Sequence, residues 1–123
     1  MHSMNTSVEN YLETIYRLQI ENEKVYSIDI ARFLDVSRPS VSNAMKKLGN
    51  QGYINMDRSG VINFTEEGSK KAKQIYEKHL WFKELLEKAG VEKDIAEIEA
   101  CKVEHAISYP VFEKLKAYIE KRD

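Results

Sequence analysis

Ser27-Ile-Asp-Ile-Ala-Arg-Phe-Leu-Asp-Val-Ser-Arg-Pro-Ser-Val-Ser-Asn-Ala-Met-Lys-Lys-Leu48 is the stretch on which the fold turns. Ser27 reads as the cap of a short helix over 28–34 that buries Ile30, Ala31 and Leu34. Asp35-Val36 reads as a tight turn. Ser37 then caps a second helix, and Pro39 is tolerated in its first turn because the N–H groups there have no intrahelical partner. Val41, Ala44, Met45 and Leu48 share its inner face, and Gly49 and Gly52 end it. Two short helices across a tight turn form a helix-turn-helix, whose second helix reads the major groove.

The flanks agree. Val8, Tyr11, Leu12, Ile15 and Leu18 recur at helical spacing, so 7–22 is an amphipathic helix with Ser7 as its cap. Downstream, Tyr53–Asp57 and Val61–Phe64 alternate around Arg58-Ser59-Gly60 as a β-hairpin wing. This order defines a winged helix-turn-helix. Arg38, Ser40, Ser42, Asn43, Lys46 and Lys47 are left outward. Ser42 and Asn43 suit base edges; Arg38, Lys46, Lys47 and, at the wing tip, Arg58 suit phosphates. Two lysines alone fit any solvated helix; the order of elements and the hairpin make the DNA reading. One short recognition helix binds weakly, so a two-fold dimer on a pseudo-palindromic operator is expected.

The chain has 123 residues, 42% hydrophobic and 32% charged, with a net charge of −1. That composition fits a soluble, globular protein and argues against a disordered one, and the periodic elements along the chain make the fold mainly α. No apolar run approaches the roughly 20 residues of a membrane span. Met1–Ser7 is polar, so no signal peptide and no membrane partner are expected. The single cysteine excludes an intrachain disulfide and suits the cytoplasm. Charge is unevenly spread: 36–60 carries a net +3 and 92–106 a net −3. One region suits phosphates and the other a cation.

Thr65 starts a long helix over 66–89, with Ala72, Ile75, Tyr76, Leu80, Leu85, Leu86 and Ala89 on an apolar stripe and Gly90 as its stop. Helices over 92–107 and 110–121 follow, separated by Ser108-Tyr-Pro110. The expected division is a DNA-binding domain over 1–72 and a helical metal-binding and dimerisation domain over 73–123, with the boundary inside the long helix. On the second of these helices Cys101, Glu104 and His105 stand at i, i+3 and i+4, on one face. Thiolate, carboxylate and imidazole there suit Fe2+, Mn2+, Co2+, Ni2+ or Zn2+. Asn10 and Glu13, at i and i+3 on the first helix, and His79 on the long helix are further donors. Each residue alone has a plainer reading: a lone cysteine fills cores, a glutamate is solvated, a histidine is hydrogen-bonded. Val111, Phe112, Leu115, Tyr118 and Ile119 form an apolar stripe that suits a homodimer interface or the protomer's own core.

Ser7-Val-Glu-Asn-Tyr-Leu-Glu-Thr-Ile-Tyr16, Val36-Ser-Arg-Pro-Ser-Val-Ser-Asn43, Lys78-His79 and Glu99-Ala-Cys-Lys-Val-Glu-His105 together resemble the diphtheria-toxin-repressor and manganese-transport-regulator family. The resemblance runs from Ser7 to Ile119. It implies a homodimeric metal-dependent repressor of metal uptake or homeostasis genes, with Fe2+ or Mn2+ as cofactor. By position, it implies recognition-helix contacts at Ser37, Pro39 and Asn43. Glu104 and His105 match ligands of both branches, Cys101 matches the iron branch, and Glu13 and His79 match the manganese branch. Asn10 departs from both. Lys83 stands where the iron branch has an ancillary Glu, and Glu97 where it has a His, as a substitute ligand. The SH3-like domain common in the iron branch is not expected here.

Two other classes stay open on the residues alone. One is a metal-independent winged-helix regulator that senses an oxidant through Cys101 or holds a small organic ligand. The other is an enzyme using Cys101 with His105, or a catalytic zinc. No oxyanion loop or glycine-rich phosphate cradle accompanies that pair, so no enzyme is expected.

Overall fold

A computed structural model describes the backbone of residues 2–121 and the side chains of residues 8–121. The order is α1 (His2–Glu21), α2 (Ser27–Leu34), α3 (Arg38–Asn50), β1 (Ile54–Met56), β2 (Ile62–Phe64), α4 (Glu66–Lys88), α5 (Lys93–Ala106) and α6 (Tyr109–Lys121). By their contacts the residues fall into two compact units, Ser3–Lys73 and Gln74–Asp123. The first is a winged helix-turn-helix, the second is helical, and both are as the sequence predicts.

In the first unit α1 begins at His2, earlier than a Ser7 cap would allow. No Gly or Pro in 2–7 interrupts the helix, so it continues through Ser7, whose side chain lies outside the described residues. Leu12, Ile15 and Leu18 are buried, each worth about 1.5–3 kcal/mol of removal from water. The cap of α2 is Tyr26, not Ser27. Asp29 supplies the hydrogen bond, its Oδ2 accepting from the Tyr26 N–H at 2.9 Å. Ile30 and Ala31 are buried while Leu34 is only half-buried. Asp35 makes the tight turn in the left-handed region, with φ 55°. Val36 N–H donates back to Ala31 O at 3.1 Å. Ser37 caps α3 as expected, and Gly49 lies inside the helix, which runs on to Asn50.

The wing is shorter than its hydrophobic alternation. Ile54 pairs with Phe64, Asn55 with Asn63 and Met56 with Ile62. Ile62 N–H donates to Val25 O at 2.8 Å, and Gln19 Nε2 donates to Ile62 O at 3.3 Å, so the wing is tied to the end of α1. Thr65 then starts α4: its Oγ1 accepts from Gly68 N–H at 3.0 Å and donates to Gly52 O at 2.6 Å. Gly68 seats this first turn against the backbone of Tyr53, where a Cβ would overlap the Tyr53 carbonyl.

In the second unit Phe82, Ala100 and Phe112 form the buried cluster, with Trp81, Leu86, Val103, Ile107, Tyr109 and Leu115 packed against it. Trp81 meets Phe82 and Phe112 edge-on at 5.0 and 5.6 Å between centroids. The apolar stripe read on α4 is corrected at two places: Leu80 and Ala89 are exposed, whereas Lys78, His79 and Phe82 are buried. Lys78 is satisfied by donating Nζ to Ile107 O at 2.8 Å, at the C-terminal end of α5 where the helix dipole favours a cation. The stripe of α6 divides: Phe112 is fully buried, Leu115 packs on the protomer's own cluster, and Val111 and Tyr118 are exposed. No helix among the described residues is long and apolar enough to cross a membrane.

Candidate metal centre and nucleic-acid interface

The helix-turn-helix presents every side chain picked out for DNA. Ser37, Arg38, Pro39, Ser40, Ser42, Asn43, Lys46, Lys47 and Arg58 are all exposed. Two of the hydroxyls also hold the start of α3. Ser37 Oγ accepts from Ser40 N–H at 3.3 Å and lies 2.8 Å from Ser40 Oγ. Ser42 and Lys46 line one groove beside α3 with Met45, Ile54 and Met56, and Asn43 and Lys47 line another with Val8 and Tyr11. The wing tip that carries Arg58 is fixed from beneath. Asp57 Oδ1 accepts from Ser59 Oγ at 2.7 Å, Ser59 N–H at 2.9 Å and Val61 N–H at 3.0 Å. The Ser59 hydroxyl, then the Val61 amide, hold the Asp57 carboxyl below its ordinary 3.8.

The metal constellation lies on α5 within the second unit. Helical spacing brings Cys101, Glu104 and His105 to one face, with ligand atoms of all three within 4.8 Å of one another. Cys101 Sγ is 4.0 Å from His105 Nε2, which is 3.8 Å from Glu104 Oε1. Glu104 is fully buried. Its Oε2 has no hydrogen-bond partner among the described residues. A buried carboxylate oxygen without a donor is costly unless a cation satisfies it. The thiol, carboxylate and imidazole therefore fit a divalent transition metal in both chemistry and need.

His79, from α4, reaches the same carboxylate. Its Nδ1 is 3.0 Å from Glu104 Oε1 and its Nε2 is 2.7 Å from Glu97 Oε2. The Tyr76 ring stacks on the imidazole, 6.3 Å between centroids and 6° from parallel. Glu97 Oε1 lies 3.6 Å from Lys83 Nζ, which is 3.9 Å from Glu87 Oε2. His79, Lys83 and Glu87 follow one another at i+4 on α4, a face that the apolar reading of that helix overlooked. The remaining two candidates, Asn10 and Glu13, lie on α1 in the first unit. Asn10 is half-buried; Glu13 is buried, with Oε2 3.6 Å from Arg17 Nη1.

Fold and side chains together define a winged-helix DNA-binding protein with a candidate transition-metal centre in its helical unit. Residues 3–60 match the family described as iron dependent repressor, N-terminal DNA binding domain. Residues 65–123 match iron dependent repressor, metal binding and dimerisation domain. An HTH-type transcriptional regulator of Methanocaldococcus jannaschii is 39% identical over 120 residues, 96% of each chain. The transcriptional regulator MntR of Salmonella typhimurium is 31% identical over 114 residues, 93% of this chain and 73% of that one. The solved structure of the manganese regulator SloR superposes with a TM-score of 0.78 at 30% identity, covering 92% of this chain and 53% of that one. The chain thus spans about half the length of that solved relative. This chain belongs to the iron-dependent repressor family, a family of transcriptional regulators and not of enzymes.

Proposed function

We propose that this chain is a metal-dependent repressor of metal uptake or homeostasis genes, acting in the cytoplasm as a homodimer on a pseudo-palindromic operator. Its cofactor is Fe2+ or Mn2+, with Co2+, Ni2+ and Zn2+ able to substitute in vitro. The observation that carries the reading is the fully buried Glu104, its Oε2 without a donor among the described residues, beside Cys101 and His105. Those three side chains are the ligands from α5, with Glu13 and Asn10 joining them from α1 and His79 and Glu97 adjoining through Glu104. A bound cation would offset the negative charge of Glu104 and Glu13, the carboxylates that would hold it. Ser37, Arg38, Pro39, Ser40, Ser42, Asn43, Lys46, Lys47 and Arg58 form the operator-contacting face, with Ser42 and Asn43 at base edges and the cations on phosphates. α1 carries both a share of the ligands and the apolar face that packs the DNA-binding unit. Fixing α1 therefore fixes the recognition helix.

A coupling of this kind is worth about 5–150-fold in DNA affinity. The test is a fluorescence-anisotropy titration on duplexes selected from a random pool, at constant salt, in Mn2+ or anaerobic Fe2+ and in chelator. Tighter binding with either metal, reversed by chelator, is the expected result. Equal binding in all three contradicts the proposal and favours a metal-independent regulator.

A further inference from the structure

A groove of about 300 Å3 runs between α3, the start of α2 and β1. Ser27, Ser42 and Lys46 bring two hydroxyls and an ammonium to it, and Gly49, Ile54 and Met56 bring apolar surface. We propose that this groove seats one sugar–phosphate unit of the operator backbone, and that Gly49 keeps it open. The inference rests on the reading of α3 as the helix that contacts DNA. Gly49 lies within α3, outside the left-handed region that Gly52, Gly60 and Gly90 occupy. No close neighbour demands a glycine either, since an added Cβ would meet nothing nearer than Ile54 O at 3.9 Å. A glycine in a helix costs stability relative to alanine, and a local rule broken without structural gain marks a functional position. What Gly49 provides is space, because a longer side chain there fills the groove it lines. Met56 forms the wing side and is left 48% exposed. The lining also names the occupant. A sugar–phosphate presents a C–H face and an anion together, and this groove offers apolar surface and a cation together. Through Ser42 and Lys46 it is continuous with the operator-contacting face, within a segment, 36–60, of net charge +3. A contact of this kind positions the protein on the duplex and carries no sequence information.

The experiment blocks the groove from each side and reads binding to a selected operator and to random duplex, in one Mn2+-containing buffer. Gly49→Leu fills it from α3, with Gly49→Ala as control. Met56→Glu places a carboxylate in it from the wing, with Met56→Gln as control, so a folding failure in one variant leaves the other to decide. Circular dichroism checks that each is folded. Gly49→Leu and Met56→Glu should each weaken binding to both duplexes about 10-fold, the scale of one lost charge-assisted hydrogen bond. Gly49→Leu should also lower the salt slope by about 1, and both controls should bind like the parent. A scan of operators carrying one uncharged methylphosphonate linkage each then locates the contact. At one linkage the substitution should weaken the parent and leave Gly49→Leu and Met56→Glu unchanged. Folded Gly49→Leu and Met56→Glu proteins that bind both duplexes like the parent would overturn the proposal. A loss confined to the selected operator would also overturn it, by making the contact one to base edges. A parent that binds neither duplex would instead overturn the DNA reading beneath it.

Discussion

His79 Nδ1 lies 3.0 Å from Glu104 Oε1, and both side chains are fully buried. The contact joins α4 to α5 across 25 residues of sequence. Burying this pair is expensive, because the histidine satisfies only one of the two carboxylate oxygens. A protein selected for stability alone would fill the space with apolar side chains. Keeping a carboxylate there is understandable if a cation completes it.

Glu104→Gln should leave the metal-free protein as stable as the parent, or stabilise it, because it removes a desolvated carboxylate. The parent should gain about 2.7 kcal/mol when Mn2+ is present at 100 times its dissociation constant, and the variant should gain none. Thermal unfolding with and without Mn2+ reads both effects. An equal shift in the two proteins would show that Glu104 is not a ligand.

Tyr109 gives a pH signature that is independent of metal. Its hydroxyl donates to Glu77 Oε1 at 2.8 Å, and that hydrogen bond, followed by burial, raises its pKa from 10.0 to about 12. A group whose folded pKa is raised contributes its full stability below the unfolded value. Between pH 10 and about 12 the unfolded chain loses the proton while the folded one keeps it, so this contribution declines with rising pH. Urea unfolding of the parent against Tyr109→Phe should show a stability difference that shrinks across that window. A constant difference would contradict the assignment.

Gly68→Ala should destabilise the first unit by more than about 2 kcal/mol. The new methyl meets backbone at Tyr53, which cannot swing aside as a side chain would. Gly49→Ala is the control: its nearest non-local atom is 3.9 Å from the added Cβ, so the helix should gain slightly. Denaturant midpoints of the two variants should move in opposite directions.

On DNA, Lys46→Ala and Lys47→Ala should weaken binding to all sequences alike and each lower the salt slope by about 1. Asn43→Ala should cost about 1–3 kcal/mol on the selected operator and little on random duplex. Salt-dependent anisotropy on both duplexes separates the two behaviours. A sequence-independent loss in Asn43→Ala would move that residue to the phosphates.

What the sequence reveals follows how local each feature is. The helix-turn-helix and its Ser37 cap are legible because they depend on neighbours within a turn. So is the Cys101, Glu104 and His105 face, which is set by helical spacing alone. The cap of α2 is misread because a serine at 27 competes with Asp29, whose carboxylate reaches back to the Tyr26 N–H instead. On α4 the run His79-Leu-Trp-Phe82 has apolar character on several faces, so periodicity cannot say which side α5 and α6 will cover. Packing leaves Leu80 outside and takes Lys78 and His79 inside. Lys78 gives no sequence signal of burial, since its partner is a backbone carbonyl at Ile107. The pairing of His79 with Glu104 and Glu97, and of Lys83 with Glu97, is long-range and appears only when the helices pack.

The proposed function requires that Cys101, Glu104 and His105 hold a divalent cation. Its most direct test is calorimetric titration of the chelator-stripped protein with Mn2+, anaerobic Fe2+, Co2+ and Zn2+, beside Cys101→Ala and Glu104→Ala. Saturable binding by the parent, weakened in both variants, is the predicted result. No binding by any of the four ions, or binding that neither substitution changes, would contradict it.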